Sequence, residues 1–140
     1  MSWYKKAIEK PDDVIHEALL DFIESTKDDW NYITPEQLRK NQKKFFILDI
    51  RQKDAFDEGH IPGAKNIFWM DLLKPENLKK LPDNKTILLV CYVGHTASQM
   101  LVALRLLGYN VMALKFGMGQ SPVEGIPVAG WTDFGYETTK

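Results

Sequence analysis

The sequence has little cysteine, little net charge and no long apolar run. A single cysteine among 140 residues excludes an internal disulfide. With 18 basic and 19 acidic residues the net charge is −1, so we do not expect the basic surface typical of nucleic-acid binders. No apolar stretch approaches the roughly 20 residues that a membrane-spanning helix needs. These absences predict a protein that binds neither nucleic acid nor membranes.

The first residues also lack the apolar segment of a secretory signal peptide, because charged side chains interrupt it. This pattern and the unpaired cysteine predict a cytoplasmic protein. Three histidines and one cysteine without metal-ligand spacing predict no metal site, and we expect no organic cofactor. With 44% apolar residues, the chain is long enough to form one domain with its own core.

Sequence patterns typical of strands and helices alternate along the chain. Apolar runs predict strands at residues 45–50, 86–90 and 111–114, and residues 64–68 also have the pattern of a strand. Apolar residues at helical spacing predict helices at residues 12–27, 53–58 and 98–108, with a weak helix or a pair of turns at 71–80. Thr34, Pro35 and Gln37 predict a capping box that starts a further short helix. This alternation predicts a three-layer α/β domain with a parallel sheet.

The chain divides into three predicted regions. Residues 1–29 form an N-terminal helical extension packed on the domain, and residues 30–120 form the α/β domain itself. Residues 121–140 form an irregular tail, with aromatic residues as possible anchors: Trp131, Phe134 and Tyr136. The apolar stripe of the extension and the aromatic tail suit either packing within one chain or contact between two chains. A monomer and a homodimer therefore both stay open.

Cys91 stands where the apolar run of residues 86–90 ends and the loop Cys-Tyr-Val-Gly-His-Thr-Ala begins, ahead of a helical pattern. At the carboxyl end of a parallel strand, the following helix points N–H groups and its positive dipole end toward the crevice. These groups favour an anionic sulfur. A free cysteine is otherwise often a small buried hydrophobe. The position favours the first interpretation, a nucleophilic thiolate.

Several motifs occur together in one order and spacing. They are Leu48-Asp-Ile-Arg51, Phe56-Asp-Glu-Gly-His-Ile-Pro-Gly-Ala64, Asn66-Ile67, the Cys91 loop, Gly108-Tyr109 and the run from Val111 to Gly117. In these motifs the chain resembles the rhodanese family of sulfurtransferases, over about residues 33–119. The resemblance implies a rhodanese-like α/β fold with a five-stranded parallel sheet flanked by helices. It also implies a cysteine that carries a persulfide.

The function that this resemblance implies is that of a single-domain thiosulfate sulfurtransferase. Cys91 would take sulfane sulfur from an anionic donor such as thiosulfate and pass it to cyanide, a thiol or an acceptor protein. The loop would bind the outer sulfur through its N–H groups, and its residues are Tyr92, Val93, Gly94, His95, Thr96 and Ala97. Two alternatives stay open: a persulfide carrier for a biosynthetic pathway, and a catalytically weak binding or regulatory module.

The composition of the loop bears on its substrate. Rhodanese-like phosphatases end a longer loop with Arg, whereas Thr96 and Ala97 stand at the candidate positions here, so phosphoryl transfer is not expected. Gly94 permits the loop to curl, and the Thr96 hydroxyl could hydrogen-bond to the sulfur. Tyr92 and Val93 follow the cysteine, where many thiosulfate-using members have cations. This departure predicts inefficient turnover of thiosulfate.

Other residues could shape the pocket. His95 in the loop and Lys115 near the end of the last strand could supply positive charge, or each could be an exposed side chain without a role. Tyr92 and Trp69 could form the walls of the pocket.

Three polar residues outside the loop, Asp49, Arg51 and His60, brace it under the family interpretation, through hydrogen bonds and ion pairs. We do not expect His60 to act as a general base, because the loop itself favours the thiolate.

Overall fold

The computed structural model describes residues 13–119 and 129–140, and its middle layer is a parallel sheet. In chain order the strands are β1 (Tyr32–Ile33), β2 (Phe45–Asp49), β3 (Lys65–Asn66), β4 (Thr86–Val90) and β5 (Val111–Leu114). Their order across the sheet is β1-β5-β4-β2-β3, and each neighbouring pair is parallel. β4 therefore lies at the centre, between β2 and β5.

Helices flank this sheet. They are α1 (Asp13–Ser25), α2 (Pro35–Asn41), α3 (Lys53–Glu58), α4 (Pro75–Leu78) and α5 (His95–Leu106). Short 3-10 turns occur at Gln42–Lys44, Trp69–Asp71 and Thr132–Phe134. Across the described ranges, every helix is too short or too polar to cross a membrane.

Successive residues of β4 point to opposite faces of the sheet and belong to two separate cores. Ile87 and Leu89 pack in the core that α5 covers. Leu88 and Val90 pack in the core on the other face, which also contains Trp131. All four β4 side chains are fully buried. Burial on both faces is the reason why this strand has a continuous apolar run instead of an alternating one.

The predicted α/β class and the five-stranded parallel sheet are confirmed. β4, β5 and α3 have the predicted bounds. The predicted capping box is also present, since the Gln37 N–H donates to Thr34 Oγ1 (3.1 Å) and the Thr34 N–H donates to Gln37 Oε1 (2.9 Å). The continuous apolar run of β4 and the capping residues Thr34 and Gln37 are therefore sufficient local signals for these two features.

Several elements are shorter than predicted: β2 ends at Asp49, α1 ends at Ser25, and only Pro75–Leu78 is α-helix within residues 71–80. The bounds of β3 and α5 also differ. The strand predicted at residues 64–68 is only Lys65–Asn66, because it is an edge strand that pairs with β2 alone before the chain turns into Trp69–Asp71. α5 begins at His95 and not near residue 98, because the Gly94 carbonyl already accepts the helical N–H of Ser98 (3.0 Å).

Both ends of the described chain pack on the domain. Phe22 of α1 contacts the core under α5, whereas Leu20 and Ile23 are more than half exposed. At the other end Trp131 is buried, and the Tyr136 ring meets it edge-on at 5.0 Å. Phe134, the third expected anchor, is half exposed and stacks on Tyr136. The predictions for residues 1–12 and 120–128 lie outside the described residues.

Candidate active site

Cys91 follows β4 directly, at the carboxyl edge of the sheet. β2 and β5 flank β4, and the Ile50 N–H extends the β2 pairing by donating to the Val90 carbonyl (2.8 Å). Cys91 is only 2% exposed and belongs to the core under α5. Its position outside the carboxyl ends of parallel strands is the place where α/β domains bind ligands.

The active-site loop, residues 91–97, curls around the sulfur. Gly94 has φ +102°, a left-handed conformation that favours glycine. The curl brings two main-chain N–H groups onto Sγ, from Gly94 at 3.0 Å and from Ala97 at 3.4 Å. α5 begins at His95, so the positive end of its dipole faces the same sulfur. This arrangement stabilises an anionic sulfur, which is the form that acts as a nucleophile.

The remaining side chains of the loop differ in exposure. Tyr92 is 43% exposed and His95 is also exposed, whereas Val93 and Thr96 are partly buried. Among the described residues, the hydrogen bonds to Sγ come from main-chain N–H groups. The role suggested for the Thr96 hydroxyl therefore stays a prediction.

A buried ion pair closes the end of β2 beside the loop. The Arg51 guanidinium lies 2.7 Å from the Asp49 carboxylate, and the two side chains are 4% and 1% exposed. Arg51 also donates to the Gly59 carbonyl (2.8 Å), and its Cζ lies 5.7 Å from the centre of the Tyr92 ring. The Asn66 amide donates to the main-chain carbonyls of Asp49 and Arg51, both at 3.0 Å. This geometry suits a role in bracing the loop.

Trp69 also lies near the loop. Its N–H donates to the Ile50 carbonyl (3.0 Å), and its ring packs against the core that contains Cys91. Its role as a wall of the pocket stays a prediction.

His60 and Lys115 are placed differently from the residues above. The His60 ring stacks on Phe56 at 3.6 Å between centroids, and its Nδ1 lies 2.8 Å from the Phe56 carbonyl. Lys115 is exposed beyond β5. Within the described ranges, neither side chain hydrogen-bonds to the active-site loop, and no three His, Cys, Asp or Glu side chains group where they could hold a metal ion.

One set of contacts was not predicted from the sequence. The Met118 N–H donates to the Cys91 carbonyl (2.9 Å), and the Gly119 N–H donates to the Tyr92 carbonyl (3.0 Å). A Cβ atom on Gly117 would lie 2.2 Å from the Cys91 oxygen. Two glycines around Met118, in the loop that follows β5, are the sequence signal that two backbones approach closely there.

The Rhodanese-like domain family matches residues 34–120, which is more than half of the chain. The chain belongs to this family. It is 32% identical over 81 residues to the probable adenylyltransferase/sulfurtransferase MoeZ of Mycobacterium tuberculosis, covering 56% of this chain and 21% of that protein. It is 31% identical over 87 residues to the adenylyltransferase and sulfurtransferase UBA4 of Yarrowia lipolytica, covering 61% and 22%. The chain thus spans about a fifth of the length of these curated relatives.

Solved structures share the fold. A rhodanese-related protein from Thermoplasma volcanium superposes with a TM-score of 0.66 at 25% identity, covering 77% of this chain and 96% of that one. A rhodanese-like domain protein from Staphylococcus aureus gives a TM-score of 0.58 at 25% identity, covering 69% and 96%.

We predict that Asp49→Asn lowers the free energy of unfolding by about 3–5 kcal/mol, because it leaves the buried Arg51 charge without its partner. Urea denaturation followed by tryptophan fluorescence measures this loss. Asp57→Asn is the matched control, since Asp57 pairs with Lys53 on the surface and the same substitution there should cost less than about 1 kcal/mol. Equal losses in the two variants would show that the buried pair does not brace the domain.

Proposed function

We propose that this chain is a sulfurtransferase that moves sulfane sulfur through a persulfide on Cys91. The observation that carries the proposal is the pair of main-chain N–H groups on Sγ, at 3.0 and 3.4 Å. Membership of the rhodanese-like family supports it, and sulfur transfer is part of the names of the MoeZ and UBA4 relatives.

The first half-reaction loads the cysteine. The Cys91 thiolate attacks the outer sulfur of a donor such as thiosulfate, and a new bond joins Sγ to that sulfur. The S–S bond of thiosulfate breaks, and sulfite leaves with the electron pair. The negative charge then lies on the outer sulfur of the persulfide, where the N–H groups of the loop and the dipole of α5 stabilise it.

The second half-reaction returns the enzyme to its starting state. Cyanide or a thiolate attacks the outer sulfur, and the Cys91 thiolate is the leaving group. The N–H groups of Gly94 and Ala97 donate hydrogen bonds to the returning thiolate and stabilise its charge. Both half-reactions exchange one sulfur between nucleophiles, so the scheme requires neither a metal nor an organic cofactor.

The charge of the sulfur donor favours a second candidate function. Thiosulfate is a dianion, whereas the side chains next to the cysteine, Tyr92 and Val93, are neutral. Arg51, a buried cation whose Cζ lies 5.7 Å from the centre of the Tyr92 ring, is already paired with Asp49. The side chains of Tyr92 and Val93 form a neutral rim beside the cysteine. A neutral rim favours a donor of lower charge, such as an organic or protein persulfide. A persulfide carrier is therefore our second candidate, and a binding module without sulfur loading is the third.

The proposal predicts that the reduced protein gains one sulfur atom after incubation with thiosulfate, measured by intact mass. Cys91→Ser should gain none, because its hydroxyl cannot hold a persulfide. Subsequent cyanide should remove the added sulfur and release thiocyanate. Loading by a small organic persulfide and not by thiosulfate would favour the carrier, and failure with every sulfur donor would favour the binding module.

A second prediction concerns the neutral rim. Val93→Lys should lower the KM for thiosulfate by about three- to tenfold, because it places a cation beside the binding site of a dianion. Steady-state thiocyanate formation measures the change. Val93→Gln is the control of similar length without the charge, and its KM should stay within about twofold of the original value. The same KM in both variants would show that charge at this position does not limit donor binding.

A further inference from the structure

The loop after β5 holds the active-site loop through two peptide units. In the unit that joins Gly117 to Met118, the N–H donates to the Cys91 carbonyl (2.9 Å). In the unit that joins Met118 to Gly119, the N–H donates to the Tyr92 carbonyl (3.0 Å). Each peptide unit is planar and rigid, so its orientation determines the direction of its N–H group.

The opposite ends of the same two peptide units are held by the C-terminal part of the chain. The Gly117 carbonyl accepts from the Trp131 N–H (3.0 Å). The Met118 carbonyl accepts twice from Thr132, from its N–H at 2.9 Å and from its Oγ1 at 2.8 Å. Each unit therefore carries a hydrogen bond at both ends, a chain in which the bonds strengthen one another.

This C-terminal segment, residues 130–139, which we term the strap, is itself fixed to the domain. Trp131 is 1% exposed, and its Nε1–H donates to the Glu137 carbonyl (2.8 Å). His60 and Thr139 exchange two main-chain hydrogen bonds, both at 2.9 Å. The strap is thus attached at both ends, so it can hold the peptide units in one orientation.

The strap also approaches the loop after β5 so closely that a side chain at Gly130 would not fit. A Cβ atom on Gly130 would lie 2.3 Å from the Gly119 Cα and 2.5 Å from the Phe116 oxygen. Glycine at this position allows the main-chain hydrogen bonds of Trp131 and Thr132 to form. The contact between strap and loop therefore consists of main-chain hydrogen bonds, to which the Thr132 hydroxyl adds one from a side chain.

We propose that Thr132 is a positioning residue for sulfur transfer, which acts on the active-site loop through the peptide unit that joins Met118 to Gly119. Its hydroxyl fixes the Met118 carbonyl, and the Gly119 N–H at the other end of the same unit fixes the Tyr92 carbonyl. Tyr92 follows Cys91 in the loop in which the Gly94 N–H meets Sγ. The strap lies beyond residue 120, where the family match ends. The inference rests on the proposed sulfur transfer, and one of its two tests below does not.

The kinetic test compares Thr132→Val and Thr132→Ser in thiosulfate-dependent formation of thiocyanate. Valine keeps the shape and the main-chain N–H but removes the hydroxyl, so kcat should fall by about three- to tenfold, the effect of one hydrogen bond, while KM stays within about twofold. Thr132→Ser retains the hydroxyl and should restore kcat. Thr132→Ala removes the same hydroxyl and decides the question if the valine variant does not fold.

Thr138→Val is the matched control, because Thr138 is an exposed residue of the same strap. Its kcat should equal that of the original protein. An unchanged kcat in Thr132→Val, or a serine variant as slow as the valine variant, would overturn the proposal.

The second test is amide hydrogen exchange by NMR at Gly94 and Ala97, whose N–H groups bind Sγ. It requires no sulfur transfer, so it remains valid if the proposed function is wrong. Exchange at both amides should be about three- to tenfold faster in Thr132→Val and unchanged in Thr132→Ser and Thr138→Val. Equal exchange in all variants would show that Thr132 stabilises the strap without positioning the loop.

Discussion

The turn from β4 into α5 is the constraint on which the rest of the site depends. In the proposed reaction the Cys91 sulfur carries charge inside the core and needs hydrogen-bond donors, and the left-handed Gly94 supplies them by curling the main chain onto Sγ. The Cys91 carbonyl, which leaves the sheet at the same point, needs a donor too, and Met118 provides it. An unsatisfied group at either position would cost about 1–3 kcal/mol in the core. Both requirements are met by backbone atoms.

The buried pair of Asp49 and Arg51 gives this turn a rigid neighbour. Two charges in the core are tolerated only when nearly all their hydrogen-bonding groups find partners. Arg51 donates to the Asp49 carboxylate and the Gly59 carbonyl. The Asn66 amide donates to the main-chain carbonyls of Asp49 and Arg51. Because Asp49 neutralises Arg51, that cation contributes shape beside Tyr92 and little free charge to an incoming anion.

Features that depend on residues within one element could be predicted from the sequence, and contacts between elements could not. The apolar run before Cys91 predicted β4, and Thr34 with Gln37 predicted the capping box. The sequence pattern places the start of α5 too late, because the left-handed Gly94 already accepts the first helical hydrogen bond, from the Ser98 N–H, ahead of the apolar stripe. The contact between Met118 and Cys91 exists only because β5 lies next to β4. That neighbourhood is a property of the sheet order, which hydrophobic patterns do not contain.

The contacts of the strap extend the active-site region beyond the boundary that sequence similarity gives to the domain. Sequence similarity to the rhodanese-like family ends at residue 120, yet the hydrogen bonds that hold the active-site loop continue into Trp131 and Thr132. A family match covers the residues whose side chains recur among its members. Main-chain hydrogen bonds can be formed by many sequences, so a segment that provides them leaves little trace in such a match. The residues whose hydrogen bonds hold the active-site loop therefore extend further along the chain than the residues that match the family.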